Sequence, residues 1–255
     1  MSALKYFKTN KFVAGLRMIG VVLLIFASGC LSLIIFQKYA QSWWILHLRK
    51  KLYQGIRFCT GIRTRVQGTP ERQAVFAVSN HISYLDIILL GEHVPYTFVA
   101  KQEVTQWPWI GWVATKLGTI FIHRSLRGIH KGQQKITEAL THQHAVLVFA
   151  EGTTGNGIIT EPFYSAFFEL PQGTCIQPIS ITYTDIKGLP TLSCIRRELG
   201  WIGENGMMPH LWNLLRWHSL TVVLTFHRPF HATCQRKQDT LHAENLVRAG
   251  ISNNF

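Results

Sequence analysis

Apolar and polar positions divide this chain into two regimes. From Met18 to Gln37 (MIGVVLLIFASGCLSLIIFQ) no residue is charged, and only Ser28, Ser32 and Gln37 are plainly polar. A helix of about twenty residues spans roughly 30 Å, the thickness of a bilayer's hydrocarbon core. Trp44, Leu48, Leu52 and Ile56 then recur every four residues, with Arg49, Lys50 and Lys51 between them. That spacing predicts an amphipathic helix within 40–58, its basic side turned toward anionic headgroups. Beyond residue 65 the pattern changes to short apolar runs, read as strands at Ala74–Ser79, Thr119–Ile122, Ala145–Phe149, Cys175–Tyr183 and Leu220–Phe226. Helical stretches lie among them at Ser83–His93, Pro108–Lys116, Gly128–Thr141 and Pro209–Trp217. Strands alternating with helices predict an α/β domain with a mostly parallel sheet over 61–255, preceded by an anchoring helical region over 1–60.

Composition sharpens this division. The formal net charge of +13 would ordinarily point to nucleic acid. However, residues 1–70 carry eleven Lys and Arg and no acidic residue, and the remaining 185 residues hold 15 cations against 13 anions. The charge belongs to the segment around the apolar run, which predicts contact with an anionic membrane and no nucleic-acid partner. Cations flank both ends of the run, so the rule that positive loops stay inside sets no orientation. A spanning helix and a shallow hairpin in one leaflet both remain open. Leu31 to Phe36 stays apolar after Cys30, unlike the polar start of a mature lipoprotein, so Cys30 is read as membrane-embedded. Five cysteines without a C-x-x-C pair fit a reducing compartment.

Three segments carry candidate chemistry. Asn80 and His81 leave a strand, and Asp86 follows five residues after the histidine, close enough to hold one ring nitrogen and leave the other as a base. Ser83-x-x-Asp86 also reads as a capping box, with Ser83 as the cap. The run Gly118–Arg124 (GTIFIHR) delivers Arg124 at a strand end, where a guanidinium can grip phosphate through two hydrogen bonds. Finally, a buried strand opens at Glu151 into the glycine-rich run EGTTGNG, whose backbone N–H groups could face an anion or polar headgroup. No Gly-Lys-Ser/Thr follows, so it is not a nucleotide loop.

Together these segments resemble the glycerolipid acyltransferase family, whose members acylate lysophosphatidic acid and related lysophospholipids. The resemblance rests on Asn80, His81 and Asp86, then on Gly118, Ile120, Phe121, Ile122 and Arg124. Phe149, Glu151, Gly152 and Thr153 follow, and last Pro178 within a late strand. It implies an O-acyltransferase of the 1-acylglycerol-3-phosphate type, with His81 as base, oriented by Asp86. Arg124 and Glu151–Thr153 would hold the acceptor's polar head, Pro178 would shape the site, and Asn80 and Gly118 would complete the substrate-binding set. No metal or cofactor is implied: acyl-CoA or acyl carrier protein serves as co-substrate, and the site faces the cytoplasm.

Two positions depart from the family pattern. Ala150 replaces a proline, and Thr154 stands where many lysophosphatidate enzymes carry a cation. The form Glu-Gly-Thr-Thr-Gly-Asn-Gly, with Gly203-Glu204 and Pro209–Trp212 later, is closer to the branch acylating lyso-ornithine lipid, which stands beside lysophosphatidic acid as the alternative acceptor. The other alternative is a non-catalytic lipid-binding relative. His142/His144 and His227/His231 lack ligand companions at a metal spacing. Trp107, Trp109 and Trp112 are read as an acyl-chain wall or core packing. Arg127, His130, Lys131 and Lys135 are read as a donor-facing patch or a solvated helix face.

Overall fold

The computed structural model describes residues 8–34, 42–72, 74–123, 125–203 and 206–254. The apolar run forms helix α1 (Lys11–Ile34), which starts seven residues earlier than its uncharged stretch. Two side chains explain the early start. The Asn10 carboxamide accepts from the Val13 N–H (2.9 Å) as an N-cap, and Arg17 turns sideways to donate to the carbonyls of Leu215 (3.0 Å) and Trp217 (2.6 Å). The predicted end at Gln37 lies outside the described residues.

Helix α2 (Trp43–Thr60) follows and stops at Gly61, whose φ of +73° supplies the left-handed turn. Its inward face differs from the predicted stripe. Ile45, Arg49, Tyr53, Ile56 and Thr60 are buried, whereas Trp44 and Leu48 are exposed and Trp43 is 81% exposed. Arg49, expected among the headgroups, is only 4% exposed. The reason is tertiary: α2 packs on helix α3 (Leu85–Gly91), with the Tyr53 ring against Gly91 and Arg57 paired to Glu92 at 2.6 Å. Burying that side leaves Trp43, Trp44, Leu48 and Phe58 on the outside, beside Leu16, Ile19, Leu23 and Phe26 of α1.

The body is built on strands β1 (Ile62–Gln67), β2 (Val75–Ser79), β3 (Thr97–Lys101), β4 (Ile120–Ile122), β5 (Val146–Phe149), β6 (Cys175–Ile186), β7 (Leu189–Pro190), β8 (Leu220–Phe226) and β9 (Phe230–His231). The order is β1-β8-β6-β2-β5-β3-β4, with β7 and β9 also pairing β6. The predicted parallel character holds for β1–β8, β6–β2, β2–β5, β5–β3 and β3–β4, while β6 meets β8, β7 and β9 antiparallel. The remaining helices are α4 (Ile110–Lys116), α5 (Leu126–Thr141), α6 (Ser193–Leu199), α7 (Met207–Leu215) and α8 (Arg236–Ser252).

Alternation along the central strands feeds two cores. Val75 and Ala77 of β2 face a layer with Leu85, Leu89, Leu199 and Leu214, whereas Phe76 and Val78 face Ile136, Leu140, Val247 and Ile251. Helices α3, α6 and α7 therefore cover one face, and α5 and α8 the other. Helices α1 and α2 lie outside α3 and α7, where Val21, Ile56, Leu211 and Leu215 form a third cluster.

Helix α1 is also held by Trp109, whose φ is +67°. Its indole N–H donates to the Ile25 carbonyl (3.1 Å), and its ring stacks on Phe26 at 5.4 Å. The ring occupies the space above Gly29, where a Cβ would come within 2.1 Å of it, while nothing lies within 4 Å of a Cβ at Gly15. Gly29→Val is thus expected to lower the thermal midpoint in detergent, overpacking of this kind costing roughly 1–3 kcal/mol. Gly15→Val should leave it near the parent value, and equal midpoints for the two variants would contradict this contact.

Candidate active site

Parallel register creates the site. Ser79 of β2 pairs with Phe149 of β5, so His81 and Glu151, each two residues beyond, meet at the same sheet edge. The His81 amide N–H lies 3.4 Å from a Glu151 carboxyl oxygen, and the Gly155 N–H donates to the His81 carbonyl at 2.7 Å. The imidazole stacks on the Phe149 ring, 3.8 Å between centroids and 12° from parallel. Its side chain keeps 16% exposure, so one edge reaches solvent.

Asp86, fully buried, orients that ring. Its Oδ2 lies 2.9 Å from His81 Nδ1 and accepts from the N–H groups of Ile82 (2.7 Å) and Ser83 (2.9 Å), while Oδ1 accepts from the Tyr183 hydroxyl (3.0 Å). A carboxylate only accepts, so Nδ1 is the protonated nitrogen and Nε2 keeps its lone pair. The predicted capping box forms only in its Asp86 half, because Tyr84, not Ser83, is the N-cap and makes no side-chain cap bond. Helix α3 begins at Leu85, the Ser83 hydroxyl accepts from Leu85 N–H (3.3 Å), and Asp86 reaches back to Ser83 N–H. The same carboxylate therefore closes the helix start and holds the histidine. Tyr183 belongs to this constellation although no motif announces it: β6 brings it to Asp86 from 97 residues away. Burial pushes its phenol well above the usual tyrosine range, the neighbouring Asp86 adding to the effect.

Glu151 sits in the same wall, 4% exposed. Burial pushes its carboxyl up to about 8, with the charges of Asp86 and Glu161 working in the same direction against hydrogen bonds from the backbone. Gly152, at φ +65°, makes the turn after it, and a Cβ there would come within 2.7 Å of the Tyr164 ring. Thr153 is exposed, whereas the Thr154 hydroxyl points inward and donates to the Trp201 carbonyl.

Other predicted site residues sit elsewhere. The Asn80 amide is spent on the backbone of Ile181, donating to its carbonyl (3.0 Å) and accepting from its N–H (2.8 Å). It pins β2 to β6 through these two bonds. Pro178 is buried within β6 opposite Val78, inside the sheet. Gly118, at φ +79°, makes the turn into β4, at the opposite end of that strand from the His81 edge. Arg124 lies outside the described residues. His227 Nε2 meets the Ser180 hydroxyl at 2.6 Å and His231 Nδ1 meets the Gly173 carbonyl at 3.0 Å, so the two rings turn to separate partners. Among the described residues no group of three or more metal-ligating side chains converges.

The structure thus places a histidine held by a buried carboxylate at the carboxyl end of a parallel sheet, beside a glycine-rich loop. Residues 62–182 match the sequence model of the Acyltransferase family. The chain is 35% identical over 200 residues to the lyso-ornithine lipid O-acyltransferase of Pseudomonas aeruginosa, covering 76% of this chain and 75% of that protein. Its counterpart in Brucella abortus is 32% identical over 236 residues, 86% and 88% of the two chains. A 1-acyl-sn-glycerol-3-phosphate acyltransferase of Neisseria gonorrhoeae is 30% identical over 155 residues, 60% of this chain and 58% of that one. In structure, the chain superposes on the 1-acyl-sn-glycerophosphate acyltransferase PlsC of Thermotoga maritima with a TM-score of 0.65, covering 95% and 94% of the chains at 20% identity. This chain belongs to the acyltransferase family of lysophospholipid and lysophosphatidate enzymes.

Proposed function

We propose that this enzyme moves a fatty acyl chain from an acyl thioester to the free hydroxyl of lyso-ornithine lipid. The observation that carries the chemistry is the His81–Asp86 pair, with Nδ1 committed to the carboxylate and Nε2 open at the sheet edge. The acceptor hydroxyl oxygen attacks the thioester carbonyl carbon while its proton passes to His81 Nε2. The C–S bond then breaks, and the proton leaves with the thiol. A thioester is already activated, so one base and good positioning suffice, without a cofactor or a covalent enzyme intermediate.

Support for the acceptor comes from position 154 and from the relatives. The Thr154 hydroxyl is turned to Trp201, so the loop lacks the cation expected for a phosphate-bearing lysolipid at this point. The P. aeruginosa and B. abortus relatives matched over three quarters or more of this chain carry the lyso-ornithine name. A second reading, transfer to 1-acyl-sn-glycerol 3-phosphate, is favoured by the Neisseria relative and by the retained His81, Asp86 and Glu151. In either reading the donor is acyl-CoA or an acyl carrier protein, and the exposed cations Arg127, Lys131 and Lys135 of α5, with His130 among them, offer it a complementary surface. Helices α1 and α2 would seat the enzyme in the membrane, with the site on its cytoplasmic side. Residues 11–31 are long and apolar enough to cross a bilayer, and their outward side chains are exposed.

Purified protein in detergent, incubated with labelled acyl-CoA or acyl carrier protein and a panel of lysolipids, tests this directly. Product with lyso-ornithine lipid, and at least tenfold less with 1-acyl-sn-glycerol 3-phosphate, is expected by mass spectrometry. The reverse ratio selects the second reading, and no product with any pair rejects acyl transfer.

A further inference from the structure

The segment after α6 has no part in the proton transfer, yet it is bonded to both loops of the site. The Trp201 N–H donates to the Ile82 carbonyl (2.9 Å), and the Trp201 carbonyl accepts from the Thr154 hydroxyl. Gly200 packs so closely that a Cβ there would sit 2.7 Å from the Gly155 carbonyl. Thus Trp201 is fixed between the histidine loop and the glycine-rich loop, within two residues' reach of His81.

Its ring meets two others edge-on: Tyr84 at 5.4 Å and 75°, and Trp107 at 5.6 Å and 76°. All three are half-buried, unlike the core aromatics Phe76 and Trp217, so they form a wall with an open side. The Tyr84 hydroxyl is committed to His210 Nδ1 at 3.1 Å, which turns its polar atom away and leaves the ring as an apolar surface. Two residues beyond Trp107, Trp109 lies on Phe26 of α1, whose outward neighbours Leu23 and Leu33 are exposed. Rings therefore stand at both places, Trp201, Tyr84 and Trp107 beside the catalytic loop and Trp109 with Phe26 on α1, joined by the short chain segment between Trp107 and Trp109. Apolar area of this kind, placed beside a base that activates a lipid hydroxyl, fits a hydrocarbon chain entering from the bilayer side.

We propose that Trp201 and Trp107, with the ring of Tyr84, form the subsite for the acyl chain already carried by the lysolipid acceptor, and that Thr154 is the positioning residue that locks Trp201 there. The proposal rests on the acyl-transfer reading and adds the determinant of acceptor chain length. It assigns position 154 a role that a threonine or serine hydroxyl can fill.

The test has two arms. In steady-state assays, Trp201→Ala should raise KM at least tenfold for a long-chain lysolipid and leave it within twofold for the same headgroup with a short, water-soluble chain. Trp201→Phe should restore the parent value. Thr154→Val should follow Trp201→Ala in direction, and Thr154→Ser should rescue it. Equal changes for both chain lengths, or no change, would overturn the proposal. The second arm needs no turnover. A lysolipid with a diazirine in its acyl chain, irradiated with the His81→Ala protein, should label the peptides containing Trp201 or Trp107. Labelling confined to α1 and α2 would overturn the subsite even if the parent enzyme is active. Labelling at Trp201 with an inactive parent would uphold the subsite while rejecting acyl transfer.

Discussion

Replacing His81 with alanine is expected to lower kcat by about a hundred- to ten-thousand-fold, the range for removing a positioned general base. The neighbouring carboxyls are poor substitutes: burial disfavours the ionised form of Glu151, and Asp86 is occupied by hydrogen-bond donors. The fold should survive, because His81 contributes a ring stacked on Phe149 and one bond to Asp86, while the loop is also held through the His81 carbonyl and amide, which alanine retains. Circular dichroism and the thermal midpoint should therefore stay near the parent while product formation disappears. Turnover within tenfold of the parent would reject His81 as the base. Asp86→Asn should be worse for stability than His81→Ala. A carboxamide presents a single acceptor oxygen where the His81, Ile82, Ser83 and Tyr183 donors converge, so buried donors are left unpaired.

Glu151→Gln is expected to stabilise the protein, and by an amount that grows with pH. The ordinary carboxyl value is 4.5, and burial pushes Glu151 up to about 8. Between those values the unfolded chain has lost the proton that the folded chain still holds, so the wild type loses stability as pH rises through this window. Below pH 4.5 both states are protonated and the penalty vanishes; above pH 8 both are ionised and it stays constant. A gap of that width corresponds to roughly 3–5 kcal/mol at its full extent. Glutamine mimics the neutral acid and escapes the penalty. Denaturant midpoints of the two proteins should nearly coincide at pH 4 and diverge steadily to pH 8. A difference independent of pH would show that Glu151 is ionised in the fold.

The legible part of this protein was local. His81 and Asp86 lie five residues apart, and a strand followed by one helical turn is enough to bring them together. Strands β2 and β5 were legible because they are buried on both faces and read as near-continuous apolar runs, and β8 because Val222, Val223 and Leu224 form its buried centre. Strand β1 was not, since as an edge strand it carries Arg63 and Arg65 and buries only Ile62. Helix α8 was missed for a different reason. Its inward face includes Asp239, Thr240 and Glu244, so no apolar stripe marks it. Those polar groups are tolerated inside because distant backbone satisfies them, Asp239 accepting from Thr233 N–H and Glu244 from Phe163 N–H.

By itself the sequence determined the apolar span, the basic flanks, the alternation of strands and helices in the middle of the chain, and the pairing of base and carboxylate, all of which depend on residues within a few turns of one another. Tertiary structure alone decided which side of α2 faces outward, that Tyr183 completes the carboxylate's shell, and that the Asn80 amide ties β2 to Ile181 of β6. It also turned Thr154 from a missing cation into the residue that holds Trp201. Each of these depends on register between strands or on packing between elements far apart in the chain, and such contacts form only once burial of the sheet has brought them within a few ångströms.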